Sequence, residues 1–262
     1  MSFPHKQVLL VGATSGIGAA MADKLIKNGA KVIAVGRRQE RLDAFVKKHG
    51  PTQAASIRFD ITDRAGLDDF VNRVVNNFPD LDCVFINSGT QSQIKLSQPS
   101  SVDLDAFREE INTNFLSVVD MSIKFLPKLQ NKAVPTSLII TGTHLALIPA
   151  VTIPAYSASK AALHAFVYSL RQQLQGSSTK IIEIWPPLVQ TELHDYMGEE
   201  TGRSMGMPVD EFVDKTYQQL ALGTEHILVG SIGPEEPFLE LVKVRQQQSD
   251  VLSNFMLSHF EL

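Results

Sequence analysis

The sequence predicts one α/β domain, doubly wound around a central parallel sheet of about seven strands. Two observations carry that expectation. Short β-branched runs alternate with stretches of helical periodicity along most of the 262 residues. Several runs are apolar at consecutive positions, as strands are when helices cover both faces of a parallel sheet. With 44% apolar residues the chain can fill such a core.

The strand candidates, in order, are QVLLV (7–11), KVIAV (31–35), AASIR (54–58), CVFI (83–86), SLIIT (137–141), KIIEIW (180–185) and HILVG (226–230). Between the first two lies IGAAMADKLIKNG, apolar at helical spacing and ended by Gly29. Right-handed crossovers through such helices keep successive strands parallel. No linker, repeat or low-complexity tract interrupts the pattern, so residues 1–262 are expected to form a single domain. The rhythm breaks at TELHDYMGEETGRSMGMPVD (191–210), where three glycines and a proline predict a mobile loop with a broken helical piece. That loop follows the sixth strand and so emerges at the carboxyl ends of the strands, where these sheets bind ligands. A tail runs from about 231 to 262, and its VLSNFMLSHFEL segment is expected to pack on the core or on a partner subunit.

Composition narrows the function. There are 24 basic and 28 acidic side chains, a formal charge of −4, and no Lys/Arg cluster to support nucleic-acid binding. Cys83 is the only cysteine and lies in the apolar run LDCVFI, so a disulfide within the chain is impossible. No Cys/His cluster has metal-ligand spacing. MSFPHKQVLLVG reaches a strand too soon for a secretory leader, and no apolar run approaches the ~20 residues of a spanning helix. A cytoplasmic protein without membrane insertion is expected. The FEL ending differs from the SKL peroxisomal address.

The first strand runs into VGATSGIG, with Gly12, Gly16 and Gly18. Glycines permit a tight turn, and the helix that follows offers free N–H groups and its positive end to a pyrophosphate. The second strand ends in Gly36-Arg37-Arg38, without the carboxylate that an NAD ribose normally engages. Arginine instead binds a 2′-phosphate through charge-assisted bonds, which favours NADP(H). Either arginine can also be merely solvated at a helix start, Arg38 the more readily. Asp60, in RFDITD, either caps the Thr62 and Asp63 N–H groups or accepts from an adenine amino group. Asn87 and Gly89, in FINSG, let backbone pass close to a nucleotide ribose.

Four segments occur in a telling order: GATSGIG (12–18), NSG (87–89), NTNFLS with Asn114, and YSASK (156–160). On these the chain resembles the classical short-chain dehydrogenases/reductases, over about residues 6 to 230. The resemblance implies a Rossmann-like domain with Tyr156 as acid/base and Lys160 as its assistant on the nicotinamide ribose. It further implies Thr143 in place of the family's serine at the substrate oxygen, and Asn114 on a water-linked proton path. The implied cofactor set is Gly12, Thr14, Ser15, Gly16, Ile17, Gly18, Arg37, Arg38, Asp60, Ile61, Asn87, Gly89, Tyr156, Lys160, Pro186, Val189 and Thr191. Pro187 stands where the family commonly has glycine, which stiffens that turn. Thr191 can alternatively cap the next helix.

The residues support these roles independently. Four apart on a helix, Tyr156 and Lys160 share a face. An ammonium there is expected to pull the phenol from about 10 toward neutrality. The Thr143 hydroxyl can donate as serine does, with a methyl that narrows the pocket. Thr141 is the alternative donor, and His144, beside Thr143, is expected to face elsewhere. Mid-helix asparagine is unfavourable, so Asn114 should hold a specific hydrogen bond. The expected activity is NADP(H)-dependent carbonyl/alcohol oxidoreduction on a small molecule; the other reading is an NADP-binding regulatory or non-redox biosynthetic protein. Pocket walls are expected from 91–98, 144–154 and 190–210, with apolar residues that suit a hydrophobic ketone. By resemblance, a homodimer or homotetramer forms through helices near 104–130 and 156–174.

Overall fold

A computed structural model describes residues 2–260; Met1, Glu261 and Leu262, and with them the last two positions of the FEL ending, lie outside it. Seven strands form one sheet: β1 (Gln7–Val11), β2 (Lys31–Gly36), β3 (Ala54–Arg58), β4 (Cys83–Ile86), β5 (Thr136–Thr141), β6 (Thr179–Trp185) and β7 (His226–Leu228). Their order is β3-β2-β1-β4-β5-β6-β7, and every neighbouring pair is parallel. All the expected strands are present. The last stops at Leu228 instead of 230, because β6, its only neighbour, ends at Trp185.

The helices are α1 (Gly16–Lys27), α2 (Gln39–His49), α3 (Leu67–Asn77), α4 (Leu104–Ile111), α5 (Ser117–Gln130), α6 (Pro154–Gln173), α7 (Glu199–Ser204), α8 (Val209–Ala221) and α9 (Glu235–His259). Alternation along the strands explains the layering. Val8 and Leu10 of β1 meet Met21 and Leu25 of α1, Leu42 of α2 and Phe212 of α8 in one core cluster. Leu9 and Val11 meet Phe70 of α3, Phe125 of α5 and Leu163 of α6 in the other. Each strand is therefore apolar at consecutive positions because successive side chains enter different cores. A third, smaller cluster joins Ala146, Trp185 and Phe238 beneath α9. No helix among the described residues is long and apolar enough to cross a membrane.

Gly29 ends α1 with φ +94°, as its position predicted. The long helix expected over 104–130 is not regular. Asn112–Leu116 widens into a single π turn between α4 and α5, which re-aims Asn114 out of the ordinary helical register.

Strand order reverses between β1 and β4, with β2 on one side and β5 on the other. The crevice outside their carboxyl ends is where a doubly wound sheet receives ligands. Gly12, Asn87 and Thr141 directly follow or end β1, β4 and β5 there.

The second core is anchored by aromatic packing. Phe70 stacks on Phe59 at 4.1 Å between ring centroids and meets Phe125 edge-on at 6.1 Å. Truncation by Phe70→Ala should cost about 3–5 kcal/mol in urea unfolding at neutral pH, from lost transfer energy and the cavity left behind.

Candidate active site

The glycine turn after β1 is held open by close backbone approach. A Cβ on Gly12, where φ is +85°, would lie 2.8 Å from the Ser88 nitrogen. One on Gly18 would lie 2.1 Å from the Gly12 carbonyl oxygen and 2.8 Å from Asn87 Nδ2. Only glycine fits either position, and the result is a smooth cradle at the start of α1. Ser15 stands at the N-cap without capping α1 through its side chain. Its hydroxyl accepts from Arg38 instead, at 2.5 Å. Ile17 is partly buried against the first core.

Arg38, the residue more readily read as a bystander, is the arginine at this turn. It donates from Nε and Nη2 to Thr14 Oγ1, at 3.1 and 2.9 Å. Its Nη1 donates to Glu192 at 2.9 Å, and Arg41 Nη1 donates to the same carboxylate at 2.7 Å. Arg37 swings away, 73% exposed in its side chain and 3.7 Å from Asp60. Arg41 was legible in principle, since it lies three residues after Arg38 on one helical face. Glu192 gave no such signal, because it arrives from a loop 151 residues further along. Burial disfavours its charge, but the two guanidiniums outweigh that and lower its pKa.

Asp60 Oδ1 accepts from the Thr62 amide at 3.0 Å and from its hydroxyl at 2.8 Å, while the Asp63 amide donates to the Asp60 backbone carbonyl. Ile61 is buried beside it. Asn87 Oδ1 accepts the Thr141 hydroxyl at 2.8 Å. Thr141 is thus committed elsewhere, which leaves Thr143 as the available donor. Thr143 Oγ1 accepts from the Leu145 amide at 3.3 Å, leaving its proton uncommitted in the hydrogen-bond pattern.

Asn114 is fully buried. Its amide nitrogen donates to the Thr90 carbonyl and its amide oxygen accepts the Thr90 N–H, each at 2.8 Å. The specific bond that its mid-helix position required is therefore a two-point tie to the loop after β4. Gly89 sits beneath the same residues; a Cβ there would meet Asn114 Oδ1 at 3.4 Å and Lys160 Nζ at 3.9 Å.

Tyr156 and Lys160 share one face of α6, with Lys160 Nζ 5.7 Å from the Tyr156 ring centroid. Both are buried, and Nζ donates to the Thr141 carbonyl at 2.9 Å. Burial brings the ammonium down to about 8, with Glu183 pulling the other way. The phenol does not follow the expectation of a shift toward neutrality: it rises above its ordinary value. Burial disfavours phenolate first, and Glu110 and Tyr196 oppose a further negative charge. In this arrangement Tyr156 holds its proton.

Pro186 and Val189 are buried, and Val189 pairs with Met207 across the loop. Thr191 packs against the site of a Gly16 Cβ, at 3.1 Å, and makes no cap bond. His144 does face elsewhere, tilted on Phe238 at 4.8 Å and edge-on to Trp185 at 6.2 Å. Burial, with a small push from His226, lowers it to about 4, so it is neutral. Among the described residues no group of three His, Cys, Asp or Glu side chains is arranged to hold a metal.

Behind Lys160 lies a pair that the sequence did not advertise. Glu183 of β6 is fully buried and bonded to His164 Nδ1 at 2.9 Å. Burial works against its charge, but the His164 bond and the nearby imidazoles prevail and lower its pKa. A lowered carboxyl stabilises the fold above its unfolded pKa, and that contribution is lost as pH falls through the folded value. His164→Leu should therefore destabilise by about 3–5 kcal/mol at pH 7. In urea titrations the deficit should shrink as pH falls, beginning above the ordinary carboxyl range, because burial without the imidazole raises the stranded carboxyl and it takes up a proton early.

Comparison with known proteins converges on one group. The profile of the short chain dehydrogenase family matches residues 6–202. DltE, an uncharacterized oxidoreductase of Bacillus subtilis, is 31% identical over 229 residues, covering 87% of this chain and 89% of its own. The NADP-dependent 3-hydroxy acid dehydrogenase YdfG of Salmonella typhi is 29% identical over 213 residues, covering 80% and 81%. The crystal structure of a short chain dehydrogenase/reductase from Burkholderia phymatum in complex with NAD superposes with a TM-score of 0.81 at 18% identity, over 96% of each chain.

Proposed function

The chain belongs to the short chain dehydrogenase family, a family of oxidoreductases, and we propose that it is an NADP(H)-dependent carbonyl reductase. The observation that carries this reading is the burial of Tyr156 and Lys160 on one face of α6, with Lys160 bonded to the Thr141 carbonyl two residues before Thr143.

The residues present suit the cofactor. Gly12, Gly16 and Gly18 form a cradle that side chains would fill. Arg38 and Arg41 already hold a carboxylate, that of Glu192, which stands in for a phosphate. Gly36 ends β2 with no carboxylate to repel such a group. These features favour NADP over NAD, as does the NADP dependence named for the Salmonella relative. Thr14, Ser15, Arg38 and Arg41 would hold the adenosine phosphate, Asn87 and Gly89 the ribose region, and Pro186, Val189 and Thr191 the nicotinamide side. Arg37, turned toward Asp60, plays a lesser part.

The cofactor supplies the hydride for a carbonyl carbon. Thr143 orients the carbonyl oxygen by donating its hydroxyl proton, and Tyr156 delivers the proton that oxygen needs. Burial keeps the phenol protonated, so Tyr156 carries the proton that reduction consumes, and the Lys160 charge would ease its release. Lys160 holds the ribose and supplies positive charge near Tyr156. Asn114, pinned to Thr90, fixes the loop over which protons reach Lys160. The alcohol product of a ketone or aldehyde leaves beneath the 190–210 loop. Association into a dimer or tetramer through α4–α5 and α6 is part of the same reading.

In Tyr156→Phe, turnover with NADPH and a ketone should fall about 10²–10⁴-fold, while NADPH fluorescence still reports binding. Unchanged turnover would sink the assignment. Arg38→Ala should weaken NADPH by tenfold or more in isothermal titration, the order of one charge-assisted contact, with NADH little affected. Equal loss for both nucleotides would instead mark Arg38 as merely structural.

A further inference from the structure

The substrate side of this site contains polar atoms that proton and hydride transfer do not use. Glu110 lies on α4, one turn before Asn114, and is 3% exposed. Its Oε2 accepts the Ser92 hydroxyl, while its buried Oε1 has no hydrogen-bond partner. Gln91 donates from Nε2 to the Tyr196 hydroxyl at 3.3 Å, and its buried Oε1 is likewise without a partner. The charge of Glu110 reaches the phenols of both Tyr156 and Tyr196 and raises each. Burial raises Glu110 itself.

Three separate segments thus meet in this cluster: the loop after β4, the helix α4 and the segment after β6. Asn114, one turn beyond Glu110, ties the first of them at Thr90, close to Gly89 and Lys160. The two free atoms are both acceptors, and a buried acceptor without a donor is costly. A substrate group that donates would relieve both. A substrate carboxylate would set acceptor against acceptor and charge against charge.

We propose that Gln91 and Glu110 form a subsite for a second, hydrogen-bond-donating group on the substrate, a hydroxyl or an ammonium carried near its carbonyl. The inference rests on the reductase reading and deepens it by naming a substrate class. It also separates this chain from relatives named for hydroxy acids. Ser92 positions the subsite by holding Glu110 Oε2, and Tyr196 brings the 190–210 loop onto Gln91.

The test compares four ketones of matched length in NADPH oxidation: hydroxy-, amino-, unsubstituted and carboxylate-bearing. Wild type should favour the hydroxy- or amino-ketone in kcat/KM and use the keto acid worst. In Glu110→Gln, the Ser92 bond retains the side-chain oxygen and leaves an amide NH₂ facing the substrate. The preference for a donor over the unsubstituted ketone should then fall roughly tenfold, mainly through KM, and the keto acid should gain. Gln91→Leu, which keeps the carboxyl, should lower the same preference and serves if the first variant does not fold. A loss larger for the amine identifies an ammonium, and one larger for the alcohol a hydroxyl; both support the subsite. Preference ratios within twofold of wild type in both variants overturn it, with turnover on the unsubstituted ketone intact. No NADPH oxidation with any of the four in wild type overturns the reductase reading, and the subsite with it.

Discussion

Parallel pairing of β1 with β4, at the point where strand order reverses, is the constraint on which the rest of the molecule depends. It brings the ends of two strands together that are separated by more than seventy residues. The backbone after β1 must then pass within contact of Ser88 and Asn87, and Gly12 and Gly18 are the consequence. The same junction receives Thr141 from β5, whose hydroxyl bonds Asn87 and whose carbonyl accepts from Lys160. The glycine turn and the Tyr156/Lys160 pair are therefore two sides of one backbone junction.

Charge in the interior is managed by pairing instead of by exposure. Behind the junction Lys160 donates to the Thr141 carbonyl and feels Glu183, and Glu183 is bonded to His164, while burial keeps His226 neutral. Tyr156 shares its helix face with Lys160 and feels the Glu110 carboxylate of α4. Its phenol rises because burial and the carboxylate act together. The protonation of Tyr156 is thus set by the layout of charges and burial around a single hydroxyl.

A second link crosses the crevice. Glu192, at the head of the loop after β6, is gripped by Arg38 and Arg41 beside the glycine turn. The segment after β6 is thereby tethered to the arginines beside the glycine turn. Exposed ion pairs of this kind contribute little to stability. Their consequence is positional: any anion that occupies the arginines competes with the loop for them.

The alternation of strands and helices, the glycine turn and the Tyr156/Lys160 spacing were all legible in the sequence, because each is set by neighbours a few residues apart. Asn114 was legible as an anomaly, a polar side chain at a helical position that propensity disfavours, although its π turn was not. Periodicity cannot show which way a side chain turns at the end of a strand. It could not rank Arg38 over Arg37, assign Thr141 to Asn87, or foresee that Tyr156 would rise in pKa. Those outcomes depend on groups from remote segments: Glu192 for the arginines, Asn87 for the threonine, and Glu110 and Tyr196 for the phenol. By itself the sequence determined which elements form and in what order, through local sterics and hydrophobic spacing. The tertiary structure alone decided their partners and their protonation, because burial and Coulomb interaction depend on distance in space and not along the chain.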